Sequence, residues 1–110
     1  MTEDEKRQQK AMLLLEYQEA EEHLANLQEK AKRISARLLA VSKWMENCAS
    51  GGAVSDKVHV SELGGVVSVS SPEIIDAVNF PAARSLYTEL MEAQRRVREL
   101  SDRKHSLGLK

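Results

Sequence analysis

The architecture of this chain follows from residues 13–48, which read LLLEYQEAEEHLANLQEKAKRISARLLAVSKWMENC. Apolar or small side chains recur here at alternating steps of four and three residues, a heptad pattern sustained over five repeats. A repeat of about 3.5 residues is typical of a helix that packs along a narrow seam and supercoils left-handed. The pattern therefore predicts a coiled-coil helix. Its seam positions are Leu13, Tyr17, Ala20, Leu24, Leu27, Ala31, Ile34, Leu38, Val41, Met45 and Cys48.

Capping signals mark both ends of this helix. Thr2 followed by Glu5 is a capping-box pattern, and the acidic residues around Glu5 favour the positive end of a helix dipole. No Pro or Gly occurs from there to Ala49, and Gly51 then supplies a stop. We therefore expect one helix over residues 3–49.

Residues 54–70 have a different pattern, in which valines alternate with polar residues on both sides of two glycines. This alternation predicts a β-hairpin. With Gly64 and Gly65 as a two-residue turn, Val60 faces Val69. Four valines then share one face, and that face must pack on the helices or on another subunit's hairpin. They are Val58, Val60, Val67 and Val69.

A second helix is expected to begin at Pro72, with Ser71 as its cap. Pro81 lies inside the helical range, and it must either kink the helix or split off a short piece over residues 72–79. We therefore expect residues 72–107 to be helical and to be kinked or broken near Pro81. Beyond Pro81 the heptad spacing resumes.

Blocks of charge favour antiparallel packing of the two helices. Residues 1–29 carry three basic and eight acidic side chains (net −5), and residues 30–50 carry five and one (net +4). Residues 73–92 carry one basic and four acidic side chains (net −3), and residues 93–110 carry six and two (net +4). Antiparallel packing sets opposite charges side by side at both ends. The predicted fold is mainly α: a long antiparallel two-helix coiled-coil hairpin with a small β-hairpin inserted between the helices.

The register of this pairing follows from matching large seam residues with small ones. The best match places Tyr17 beside Leu100 and Ala31 beside Leu86. It also brings Glu16 near Arg103, although an exposed ion pair is worth only about 0.2 to 1 kcal/mol.

Apolar side chains off the seam exceed what a two-helix hairpin can bury. One cluster lies near the free ends of the helices and another near the β-hairpin. Self-association into a helical bundle would cover both clusters, so we expect a homo-oligomer, a dimer or higher. The predicted protein-interaction residues are Met12, Leu14, Leu15, Leu39, Trp44, Val58, Val60, Val67, Val69 and Phe80.

Composition restricts the class of protein. The chain has 110 residues, 42% hydrophobic and 4% aromatic, which fits one domain over residues 1–110. A formal net charge of −1 provides no overall attraction to nucleic acid or an anionic membrane. No apolar run is long enough to span a bilayer, and the acidic start is the reverse of a signal peptide. These features predict a cytoplasmic protein without membrane contact.

No residue set in the sequence carries recognisable chemistry. The acidic run ending in His23 lacks the Glu-x-x-His spacing of di-iron bundles, because Ala20 stands three residues before it. Cys48 occupies a seam position, where a small buried residue is expected, and no general base can be assigned to it. We therefore expect no enzyme activity, no catalytic or metal site, no cofactor and no small-molecule substrate.

The plan of long helix, β-hairpin and long helix resembles a β-type prefoldin subunit in outline. That resemblance implies hairpins joined into a β-barrel platform and apolar helix tips that hold unfolded chains; Pro81 departs from the smooth second helix of that family. The tip residues here would be Met12, Leu14, Leu15, Leu107 and Leu109.

Two classes of function follow for this chain. The first is a structural or adaptor coiled coil that self-associates and docks a partner protein. The second is a chaperone that binds exposed apolar segments of clients. A role as a nucleic-acid-binding accessory protein is less favoured, because arginines such as Arg96 and Arg103 flank the seam and are expected to face acidic residues.

Overall fold

The chain is mainly helical in its computed structural model, which describes residues 2–51 and 54–108. The elements in chain order are α1 (Glu3–Ala49), β1 (Lys57–Val60), a 3₁₀ turn (Ser61–Leu63), β2 (Gly65–Ser68), α2 (Pro72–Ala77) and α3 (Phe80–Ser106). The two strands pair antiparallel. The order of long helix, small antiparallel sheet and C-terminal helix agrees with the prediction from the sequence.

α1 begins at the capping box that the sequence predicts. The backbone N–H of Glu5 donates to Thr2 Oγ1 at 3.2 Å, and the backbone N–H of Thr2 donates to Glu5 Oε2 at 3.4 Å. These bonds satisfy two amide groups at the helix start. At the other end Gly51 has a φ of 85°, a left-handed conformation that favours glycine. The observed range of α1 coincides with the predicted residues 3–49.

The chain gathers into two compact units. The first contains α1 through Gln28 and α3 from Tyr87 onward. The second is Glu29–Leu86, which includes the β-hairpin and α2. Each unit buries its own set of apolar side chains.

In the first unit, α1 and α3 run antiparallel, as the charge blocks predict. Leu13 lines a groove together with Leu107, and further along α1 the Glu16 carboxylate accepts a hydrogen bond from the Arg96 guanidinium at 3.3 Å. Residues early in α1 therefore lie beside residues late in α3. The buried side chains of this unit are Leu13, Leu27, Ala93 and Leu100.

The polar contacts in this unit fall on both sides of the predicted register. Glu16 shares a groove with Arg103, as expected, but its ion pair is with Arg96. The ammonium group of Lys104 lies 4.1 Å from the centroid of the Tyr17 ring. Long side chains reach along the helix axes, so these contacts do not join the nearest backbone positions.

In the second unit, the β-hairpin packs through its valine face on the chain's own helices. Val58 and Val60 are fully buried together with Ile74 of α2. Packing of the valine face on the helices, one of the two predicted arrangements, is therefore present. The partly buried side chains around this core are Ala40, Val41, Trp44, Val67 and Val69.

The heptad seam of α1 is interrupted in the second unit. Leu38 and Met45 are predicted seam residues, yet they are 42% and 59% exposed. Ala40 and Trp44 pack on the hairpin core together with Val41, which is a predicted seam residue. A straight helix drifts by about 20° per heptad from a 3.5-residue repeat, so the face of α1 that the hairpin covers coincides with the seam only in part. The prediction of an unbroken seam to Cys48 is therefore wrong.

The hairpin turn differs from the predicted one. The register pairs Val58 with Val67 and Val60 with Gly65, so the connection is a four-residue loop. Gly64 alone in this loop has a positive φ, at 73°, and its N–H donates to the Ser61 carbonyl at 3.0 Å. A two-residue type I′ turn needs positive φ at both central residues, and the 3₁₀ turn before Gly64 removes that need.

The helical range after the hairpin is broken rather than kinked. α2 ends at Ala77 and α3 begins at Phe80, so residues 78–79 separate the helices. The Asn79 side-chain oxygen accepts a hydrogen bond from the Ala82 backbone N–H at 3.4 Å and caps α3. Pro81 occupies the first turn of α3, where its missing N–H leaves no helical bond unmade.

Ser71 caps α2 in a different way from the prediction. Its hydroxyl makes no capping bond and is buried without a hydrogen-bond partner within the described residues. The Ser71 carbonyl instead accepts bonds from the amides of Ile74 and Ile75, at 3.1 and 3.0 Å. The Ile74 amide, which a cap hydroxyl would normally engage, is thereby occupied.

Candidate protein-interaction surfaces

The described residues offer surfaces for binding rather than a cluster for metal chemistry. Within residues 2–51 and 54–108, no three His, Cys, Asp or Glu side chains are arranged so as to hold a metal ion. Grooves and exposed apolar side chains are the remaining features that could engage a partner.

The residues predicted to bind other proteins fall into three groups by burial. Five are exposed, and Phe80 is the most accessible at 86%; the others are Met12, Leu14, Leu15 and Leu39. Trp44, Val67 and Val69 are half-buried around the hairpin core. Val58 and Val60 are buried in that core, where no partner reaches their side chains without unfolding.

The first unit carries a groove of about 480 Å³, here called the end groove. Met12 and Leu107 give it an apolar lining, while Glu16 and Arg103 place opposite charges in it. Leu109, which the prefoldin resemblance adds to this end, lies outside the described residues. The residues lining the end groove are Gln9, Met12, Leu13, Glu16, Arg103, Ser106 and Leu107.

The second unit carries a groove of about 360 Å³ between α1 and β1, here called the strand groove. Its lining includes no residue of β2, which lies along the other edge of β1. The strand groove therefore follows the edge of β1 that β2 leaves unpaired. The lining residues are Ala36, Leu39, Ala40, Lys43, Trp44, Asn47, Lys57, His59, Val60 and Ser61.

The hydrogen-bond pattern of the hairpin shows which backbone groups point into its ladder. The Val69 N–H donates to the Asp56 carbonyl at 2.7 Å, so Asp56 and Val69 form a hydrogen-bonded pair. Val58 and Val67 lie two residues further along each strand. Hydrogen-bonded pairs recur at every second position of an antiparallel ladder. The backbone groups of Val58 and Val60 therefore point toward β2.

The intervening residues, Lys57 and His59, point their backbone groups toward the free edge. The Lys57 N–H donates to Ser55 Oγ at 3.1 Å, which agrees with this outward direction. The Lys57 carbonyl and both backbone groups of His59 are then left along the strand groove. Unpaired groups of this kind accept an additional strand readily.

The side chains around the strand groove combine an apolar base with a basic rim. Leu39 and Trp44 supply apolar surface, while Lys43, Lys57 and His59 carry the basic groups. Among the side chains that the structure describes, no carboxylate lines the groove, and none of these three basic side chains forms an ion pair. The local field in the groove therefore favours an anionic occupant.

Trp44 is held in place by a hydrogen bond to the segment before β1. Its indole N–H donates to the Ser55 carbonyl. The ring therefore has a partner for its polar atom while its apolar surface packs against the hairpin core and lines the groove.

The sequence predicts part of the strand groove. Leu39 and Trp44 are among the predicted interaction residues, but Lys43, Lys57 and His59 are not. Alternation along Lys57–Val60 does place the polar side chains on the outer face of β1. The approach of α1 to the edge of that strand depends on tertiary packing, which no local pattern reports.

No helix in the described ranges, residues 2–51 and 54–108, combines the length and the apolar character that a membrane span requires.

No protein-family model, curated protein or solved structure matches this chain. The resemblance to prefoldin therefore rests on the order of elements.

Proposed function

We propose that this protein is a non-enzymatic adaptor that acts through self-association and through binding of other proteins. The observation that carries this proposal is the exposure of large apolar side chains in both units, with Phe80 at the start of α3 the most accessible. Burying a phenylalanine side chain contributes about 1.5 to 3 kcal/mol. An oligomer that covers Phe80 is therefore stabilised relative to the monomer.

Solution mass tests self-association. Light scattering at several concentrations should give a multiple of the 12.3 kDa chain mass. The substitution Phe80→Glu should shift the mass toward one chain, because it places a charge in the interface. Val54→Glu is the matched control, since Val54 is also exposed and apolar but is not a predicted interaction residue. A wild-type mass of 12.3 kDa at all concentrations would contradict self-association.

Chaperone activity is a second candidate, and the end groove favours it. Met12, Leu13 and Leu107 form an apolar surface where α1 begins and α3 ends, and Leu14 and Leu15 lie exposed beside Met12 in sequence. Such a surface suits an apolar segment of an unfolded client.

An aggregation assay separates the two candidates. A chaperone should suppress the light scattering of a chemically denatured client protein, and replacing Met12, Leu14 and Leu15 with Ser should remove that effect. Leu39→Ser in the second unit is the control, because it removes an exposed leucine elsewhere. An adaptor should leave the client's aggregation unchanged.

Nucleic-acid binding has weaker support. Arg95 is 3.9 Å from Glu99 and Arg96 is 3.3 Å from Glu16, so two of the arginines in the basic block of α3 are engaged by carboxylates. A contact with phosphates would have to displace these partners.

A further inference from the structure

We infer that the strand groove binds an extended acidic segment of a partner protein, which adds to the free edge of β1 as a third strand. This inference deepens the proposed adaptor role and rests on it, because it names the chemistry of the partner. Three independent observations carry it: the direction of the backbone groups of β1, the apolar wall that α1 provides, and the charge of the rim.

The backbone geometry selects an extended partner. The Lys57 carbonyl and the N–H and carbonyl of His59 face the groove in strand spacing, and the ladder bonds of Val58 and Val60 leave them unused. A peptide in β conformation matches donors and acceptors at this spacing, whereas a helical partner has already satisfied its own backbone groups.

The walls of the groove favour a partner segment in which apolar and polar side chains alternate along the sequence. Successive side chains of an added strand point to opposite sides. One set would contact Leu39 and Trp44 on the α1 side, where apolar side chains lose exposure to water. The other set would lie on the solvent side of the sheet, beside the side chains of Lys57 and His59.

The rim selects negative charge. Lys43 on α1 and Lys57 on β1 stand on opposite walls of the groove, and His59 adds a third basic group. The described side chains that line the groove are neutral or basic, so acidic side chains on the added strand would lie beside groups that attract them. Electrostatic complementarity of this kind raises the association rate and excludes basic partners.

The test uses the full chain and a peptide in which Glu alternates with Val or Leu over seven residues, acetylated and amidated at its ends. Trp44 is the only tryptophan of the chain and lines the groove, so its emission reports binding directly. The expected result is a saturable change in Trp44 emission that weakens as salt is raised. The same peptide with Lys in place of Glu should bind at least about tenfold more weakly.

Charge reversal of the rim tests the position of the site. Lys43→Glu combined with Lys57→Glu should weaken binding by about tenfold or more. Lys6→Glu combined with Lys10→Glu is the matched control, since it makes the same change in net charge on exposed residues of the first unit. Circular dichroism should show unchanged helix content in both variants. Equal binding by the two double variants would overturn the inference.

Removal of single backbone donors tests strand addition itself. His59→Pro deletes an N–H that points to the free edge and leaves the bonds to β2 intact, as proline at edge positions allows. Val66→Pro is its counterpart, because Val66 pairs with His59 and points its N–H to the opposite edge. Binding should be lost in His59→Pro and kept in Val66→Pro and in His59→Ala.

Other results would reject the inference. Unchanged affinity in His59→Pro would exclude strand addition. Displacement of the peptide by inorganic phosphate or by a short oligonucleotide of equal charge would show that the groove binds anions in general rather than an extended peptide. Because the mass of the assembly is measured separately by light scattering, failure of peptide binding and failure of self-association are distinguishable.

Discussion

At the scale of single residues, Ile74 is a sensitive position in the second unit. It is 2% exposed and packs with Val58 and Val60. Ile74→Ala should lower the free energy of unfolding by about 2 to 5 kcal/mol, because a buried side chain is lost and a cavity remains. Urea unfolding measures this. The neighbouring Ile75→Ala is the control, since Ile75 is 52% exposed and should change stability by about 0.5 kcal/mol or less. Equal losses would contradict the placement of α2.

Gly64 is required by its backbone conformation. Its φ is 73°, and a Cβ there would meet nothing within 4 Å, so only the backbone resists substitution. Gly64→Ala should therefore destabilise the protein by about 1 to 2 kcal/mol, as measured by urea unfolding. Gly65 has equal space for a Cβ but no positive φ. Gly65→Ala should cause no comparable loss, and a loss as large as that of Gly64→Ala would contradict the observed loop.

At the scale of elements, the break between α2 and α3 depends on Asn79. Asn79→Ala should destabilise the protein by about 1 kcal/mol, because the Ala82 amide loses its capping oxygen. Asn79→Asp keeps an acceptor at the same place and should retain stability. Urea unfolding followed by circular dichroism compares the two variants. A loss in both would show that the amide nitrogen of Asn79, rather than its oxygen, matters.

The elements differ in how far local sequence determines them. α1 is predicted to its ends because Thr2, Glu5 and Gly51 act within one or two turns of the helix. The hairpin turn is not predicted correctly, because Gly64 and Gly65 suit both a two-residue turn and a longer loop. The choice depends on the 3₁₀ turn before Gly64, which the strand pattern does not signal.

Local sequence also fails to determine which face of α1 packs on the hairpin. Leu38 and Met45 are at least as apolar as Ala40, and their spacing fits the heptad repeat. The hairpin nevertheless packs on Ala40, Trp44 and the seam residue Val41, and it leaves Leu38 and Met45 exposed. The position of the hairpin on α1 is a long-range property, so periodicity within the helix does not report it. For the same reason the sequence predicts Leu39 and Trp44 of the strand groove but not Lys43, Lys57 and His59.

At the scale of the whole molecule, the sequence predicts one domain, and cooperativity of unfolding tests it. α1 contributes residues to both units as one continuous helix, and helix formation is cooperative along its length. We therefore expect a single unfolding transition. Trp44 emission reports the second unit, and circular dichroism reports all helices.

Leu100→Ala provides the decisive comparison. Leu100 is fully buried in the first unit, and its truncation should cost about 2 to 5 kcal/mol. In a cooperative domain, the urea midpoint from Trp44 emission should fall together with that from circular dichroism. A midpoint of Trp44 emission that stays unchanged would show two units that unfold independently.

The valine face of the hairpin also determines which insertions in the two strands the protein tolerates. Val60 pairs with Gly65 rather than with the predicted Val69, so the register differs by four residues, and the same four valines still share the buried face. Side chains alternate with a period of two along a strand. An insertion of two residues within β1 or β2 would therefore preserve the buried face, whereas an insertion of one would turn valines outward beyond that point. Chains that descend from a common ancestor with this one should accordingly vary in strand length by even numbers.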